Sequence, residues 1–153
     1  MRSRARWAAI ALTLTGCAAA YKAPVTAYQP LTVAMPGSRA DLLRKAKQAL
    51  VVDGYQITNA DDSAGVISTA PRNLRLTPEQ ADCGTTVSLD YLKDNRTDTK
   101  VGYGVLVGDG SITIRTTIEG QYKPGAVDQN ITLSCVSRGG LEQTLLTKIR
   151  AAS

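Results

Sequence analysis

An α+β fold, with an antiparallel sheet of six or seven strands and two helices packed on one face, is predicted by three features of this chain. Two segments, "SRADLLRKAKQAL" and "LEQTLLTKIRAA", carry apolar residues at helical spacing. Between them lie short runs rich in Val, Ile, Thr and Tyr, separated by polar and Gly-containing turns. The longest of these, "SITIRTTIEGQY", alternates with a period of two, as a strand with one buried and one wet face must.

The elements follow in order. "PLTVAM" (residues 30–35) is a strand candidate, and "PGS" turns the chain. Ser38 with Asp41 three residues on is an acidic variant of the capping box that opens a helix. Leu42, Leu43, Ala46, Ala49 and Leu50 line one face of it, Arg44, Lys45 and Lys47 point elsewhere, and Gly54 is placed to end it in a left-handed cap. "YQIT" and "GVIST" around "NADDSA" predict a hairpin. Asp61 and Asp62 read as part of its turn, because a calcium loop needs alternating acidic positions and a distant Glu. Thr77-Pro78-Glu79-Gln80 predicts one short helical turn. "TTVSLDYL" reads as a strand with Val87, Leu89 and Tyr91 on one face. "VGYGVLV" and "SITIRTTIEGQY" meet at "GDG", with Ile112, Ile114, Thr116 and Ile118 inward. The glycines at 102, 104, 108 and 110 read as shaping that hairpin and its bulges, since no Gly-Lys-Ser follows them. "NITLSCV" is the last strand; then Leu141, Leu145, Leu146 and Ile149 make the stripe of the C-terminal helix, with Lys148 and Arg150 in its last turn.

The N-terminal end has a different logic. Arg2, Arg4 and Arg6 precede an apolar run from Trp7 to Thr15, much shorter than the roughly 20 residues a membrane span needs. A basic start, a short apolar middle and small residues at the end describe an export signal. Leu14-Thr15-Gly16-Cys17 resembles the lipobox of bacterial lipoproteins. That resemblance implies diacylglycerol on the Cys17 sulfur, cleavage between Gly16 and Cys17, and a further acyl chain on the new amino terminus. Two or more acyl chains give stable anchoring. In that family an Asp after the cysteine favours the inner membrane; here Ala18 follows, which implies the periplasmic face of the outer membrane. The expected organisation is a signal over 1–16, a lipidated tether over 17–29 and a single domain over 30–153.

Composition is best read after cleavage. Of 18 Lys and Arg, three lie in the signal, leaving 15 against 13 Asp and Glu, a net charge of +2. Such a balance offers no basic face for nucleic acid. There is no Phe, and the single Trp is Trp7, so Leu, Ile, Val, Ala and Tyr must build the core. With Cys17 lipidated, Cys83 and Cys135 remain as an even pair in an oxidising compartment. A metal or redox pair fits less well than a disulfide, for there is no C-x-x-C and no His.

In element order, strand, helix, meander and helix, residues 30–150 resemble the helix-grip arrangement of small outer-membrane lipoproteins, including the domains of the barrel-assembly accessory lipoprotein C. The lines "GYQITNADDSAGVIST" and "LSCVSRGGLEQTLLTKI" carry that resemblance. It implies no catalytic residue, cofactor or metal. Without His the commonest general base is missing. "DCG" and "SRGG" frame a candidate site beside the cysteine pair. The function expected is a non-enzymatic envelope module that docks on a protein partner. The alternative is a carrier or sensor holding a small or lipidic ligand between the sheet and the C-terminal helix, with an apolar cavity among Ile112, Ile114, Leu141 and Leu145.

Overall fold

The computed structural model describes residues 21–87, 89–125 and 130–152; the export signal, the lipobox and Cys17 lie outside the described residues. In chain order the elements are β1 (Tyr21–Lys22), β2 (Leu31–Ala34), α1 (Arg39–Val52), β3 (Ile57–Asp61), β4 (Val66–Thr69) and β5 (Arg72–Asn73). Then come β6 (Ala81–Asp82), β7 (Thr85–Thr86), β8 (Leu89–Asp90), a 3-10 turn at Tyr91–Lys93, β9 (Thr97–Gly108) and β10 (Ser111–Tyr122). The chain closes with β11 (Ile131–Ser134), β12 (Val136–Ser137) and α2 (Gly140–Ala151).

The long β9–β10 hairpin is the axis of a seven-stranded antiparallel sheet. One edge of β10 is shared: β2 pairs with Ser111–Ile114 and β11 with Glu119–Tyr122. The other edge of β9 is shared by β5 and β4, and β3 lies outside β4. Val101, Val105, Val107, Ile112, Ile114 and Ile118 all point to one face and are buried in a single core with the apolar stripes of α1 and α2. Each such side chain removed from water contributes about 1.5–3 kcal/mol before entropy is counted. This is the α+β arrangement that the patterning predicts, in the helix-grip-like order of elements that the resemblance implies.

Both ends of α1 follow from local chemistry. Ser38 Oγ accepts from the Asp41 N–H at 3.2 Å. At the C-terminal end Gly54 takes φ +80°, its N–H donates to Val51 O, and the Tyr55 N–H reaches Leu50 O, which is a Schellman cap. Asp61 behaves as a turn residue: its Oδ1 accepts from Ser63 N, Ser63 Oγ and Ala64 N. The Ser63 hydroxyl is the main reason its carboxyl lies below the ordinary carboxylate range.

Four local expectations are corrected. "TTVSLDYL" is not one strand: Val87 adopts φ +42°, so the backbone doubles back and pairs Thr86 with Leu89 and Thr85 with Asp90. Asp90 Oδ1 then caps Leu92 N at 3.0 Å, and the consecutive residues Tyr91 and Leu92 are both buried, which a half-exposed strand does not allow. After Thr77 the chain makes a hydrogen-bonded turn and not a helix; Gln80 Oε1 accepts from Thr77 N, but β6 begins at Ala81. No bulge interrupts β9 and β10, whose register is continuous from Ser111–Gly108 to Tyr122–Thr97. Finally, "NITLSCV" is split at Cys135, so that β11 belongs to the large sheet and β12 to a two-stranded ribbon with β6.

Candidate functional site

The runs "DCG" and "SRGG" meet in space, brought together beside two cysteines that are 52 residues apart in chain. β6 and β12 pair Asp82 with Val136 and Ala81 with Ser137, and Cys83 is joined to Cys135. Behind the bridge sits Gly120 of β10; a Cβ there would lie 2.6 Å from Cys135 Sγ, so only glycine lets the disulfide lie against the sheet. Arg138 closes the corner, its Nε donating to Pro78 O at 2.8 Å and its Nη2 lying 3.4 Å from Asp82 Oδ2.

Asp82 does more than pair with Arg138. Its Oδ2 accepts from Val25 N at 3.2 Å and Thr26 Oγ1 at 3.1 Å, and its Oδ1 from Gly84 N at 2.9 Å. Burial pushes its carboxyl upward, but these hydrogen bonds outweigh it and leave the group below the ordinary range. Asp82 therefore fastens the chain around Val25 to the domain. The same segment is held by pairing of β1 with β7, by the Tyr21 hydroxyl near Cys83 O, and by Tyr28, whose hydroxyl accepts from Thr116 N at 3.2 Å. That last contact fills the stretch of β10 edge left between β2 and β11. Residues read as tether are thus, from Tyr21 onward, packed on the domain.

Around the start of α2 the chemistry is polar and buried. Ser137 Oγ donates to Glu142 Oε2 at 2.6 Å and accepts from Gly139 N at 3.1 Å. The hydroxyl thus donates and accepts just ahead of α2, whose N-cap residue is Gly139. Glu142 is fully buried, and its Oε1 and the Thr116 Oγ1 have no hydrogen-bond partner among the described residues. A carboxylate in the first turn is favoured by the helix dipole. Its negative charge adds to the effect of burial in raising the pKa of Tyr28 and Tyr103. Sequence reasoning passed over Glu142. The signal was present, because 142 stands three, four and seven residues before Leu145, Leu146 and Ile149, on the buried stripe itself.

A cleft of about 430 Å³ opens beside this corner, lined by Thr26, Gln29, Pro30, Ser137, Arg138 and Gly139 among others. A second, of about 420 Å³, lies along the basic side of α1. There Arg44 is bound to Asp41 and Lys47 to Asp62, each at 2.5 Å, so much of the positive charge is met within the chain. Among the described residues no group of three or more His, Cys, Asp or Glu could hold a metal, and no helix is long and apolar enough to cross a membrane.

No family model matches the chain, and no curated protein matches it. Among solved structures it is similar to a TBP-like protein from Parabacteroides distasonis, at 16% identity and a TM-score of 0.42. The likeness covers 68% of this chain and 62% of that one.

Proposed function

We propose that this chain is a lipid-anchored protein of the bacterial envelope, held by acyl chains on Cys17 at the periplasmic face of the outer membrane, and that it acts there without catalysis as a docking or assembly accessory module. The anchoring half is supported by the basic start, the short apolar run and the Leu14–Cys17 box. The docking half is supported by the filled interior between the sheet and α2. Ile112, Ile114, Leu141 and Leu145 are 0, 0, 4 and 1% exposed and belong to one continuous core. The space a carrier would keep for its ligand is occupied by side chains. Contact with a partner then falls to the surface, where the outer face of the sheet presents Leu106, 49% exposed, beside Gly104, Thr113 and Arg115.

Photocrosslinking from position 106 in living cells tests the docking half. A discrete adduct of defined mass is expected there. Absence of any adduct at 106 and at exposed Val52, together with a stoichiometric small molecule in native mass spectra of the domain, would replace docking by the carrier.

A further inference from the structure

We infer that the ribbon β1–β7–β8 is the face the domain rests on the membrane, with Tyr21, Val87 and Leu89 touching the lipid headgroup layer. The inference rests on acylation of Cys17, as proposed above. Its starting point is the length of chain between that residue and the packed domain. β1 begins at Tyr21, and the segment after it is held by Asp82 and Tyr28. Four residue steps therefore separate the anchor from the first fixed strand. Whatever conformation residues 17–20 take, they reach at most about 14 Å. A domain of this size has a radius of gyration of about 14 Å. The headgroup layer of one leaflet consumes about 5–8 Å of that reach. The leash is too short for the domain to turn another side to the bilayer, so the surface around Tyr21 must lie against it.

The chemistry of that surface agrees. The described residues include eight large apolar side chains that are exposed, and four of them lie in this short region: Tyr21 at 45%, Val25 at 91%, Val87 at 76% and Leu89 at 36%. The pairing places three of the strand residues in one row. Tyr21 stands opposite Thr86, and Thr86 opposite Leu89, so their side chains share a face of the ribbon. Val87 sits at the turn beyond them, in a left-handed conformation that costs strain for a β-branched residue. Lys22 and Lys93 near this ribbon are exposed, Lys22 on its other face in line with Thr85 and Asp90, so the lipid contact rests on the apolar row itself. A Tyr with its ring half-buried and neighbouring apolar tips is the composition that settles at a bilayer interface. Gly84 keeps the arrangement tight: a Cβ there would meet Lys22 O at 2.3 Å and the Tyr21 ring at 2.9 Å.

The chain after cleavage has no Trp, so a single introduced one reports its own surroundings. The acylated full-length protein, extracted from membranes, is reconstituted in phosphatidylcholine–phosphatidylglycerol vesicles whose acyl chains carry bromine. Val87→Trp and, as a second probe, Leu89→Trp are compared with Val52→Trp, an exposed site near the other end of α2, about 18 Å of helix away. Blue-shifted and quenched emission is expected at 87 and 89, with neither change at 52. Protein that floats with the vesicles and carries acyl chains by mass, yet shows the same unquenched emission at all three positions, overturns the resting face and leaves the anchor standing. Protein that neither floats nor carries acyl chains removes the anchor and the resting face with it.

Discussion

Glu142 is fully buried, with one side-chain oxygen bonded to Ser137 and the other without a partner among the described residues. Glu142→Ala strips the Ser137 hydroxyl of its acceptor and leaves a void in the core, and is expected to cost about 2–3 kcal/mol in urea denaturation. Replacing both residues with apolar side chains that fill the same volume should recover part of that loss, since no buried hydroxyl or carboxylate then remains. Asp94 sets a different limit. Its carboxylate is bonded first by the Arg96 side chain and then by the Arg96 N–H and the Tyr122 hydroxyl, which hold it far below the ordinary carboxylate range. A depressed folded-state value means stabilisation that is complete above the unfolded pKa of about 4 and is lost as pH falls below it. Thermal melts of the wild type should therefore decline below pH 4, and Asp94→Asn should be less stable at neutral pH and decline less steeply in acid.

At the scale of elements, α2 divides core from surface within one turn. Leu145→Asp buries an unpaired charge against the sheet and is expected to cost several kcal/mol or to release the helix. Changes at Gln143 or Thr147, both exposed, should stay within about 0.5 kcal/mol. An unchanged melting temperature for Leu145→Asp would remove α2 from the core. Periodicity made both helices, the β3–β4 hairpin and the β9–β10 ribbon legible, because in each the burial that stabilises the element repeats along its own sequence. It failed at Val87 for a physical reason. Alternation reports on which side chains face a common core, whereas β7 and β8 lie in a small ribbon of their own, completed by β1, a strand far away in chain. Glu142 was obscured in the same way: its residue type argued for solvent while its position argued for the core. The corner formed by "DCG" and "SRGG" was legible as a meeting of cysteines. That Asp82 would fasten the N-terminal segment was not, since nothing local in either run marks a partner near Val25.

Over the whole molecule, the Cys83–Cys135 bridge ties the two-stranded ribbon and the N-terminal segment to the large sheet. Closing a loop of about 50 residues is worth roughly 4 kcal/mol in the chain-entropy view, so reduction should lower the melting temperature, as calorimetry can record. Gly120→Ala should narrow the gap between oxidised and reduced forms, because its Cβ displaces Cys135 Sγ only while the bridge is closed. These strengths serve a domain whose surface, in the proposed arrangement, turns partly to a membrane and partly to a partner. That arrangement depends first on the anchor. The intact mass of the protein extracted with detergent from envelope membranes tests it most directly. A chain beginning at Cys17 and heavier by a diacylglyceryl group and an acyl chain is the expected result. A chain that begins elsewhere, or that carries an unmodified Cys17 thiol, would contradict it.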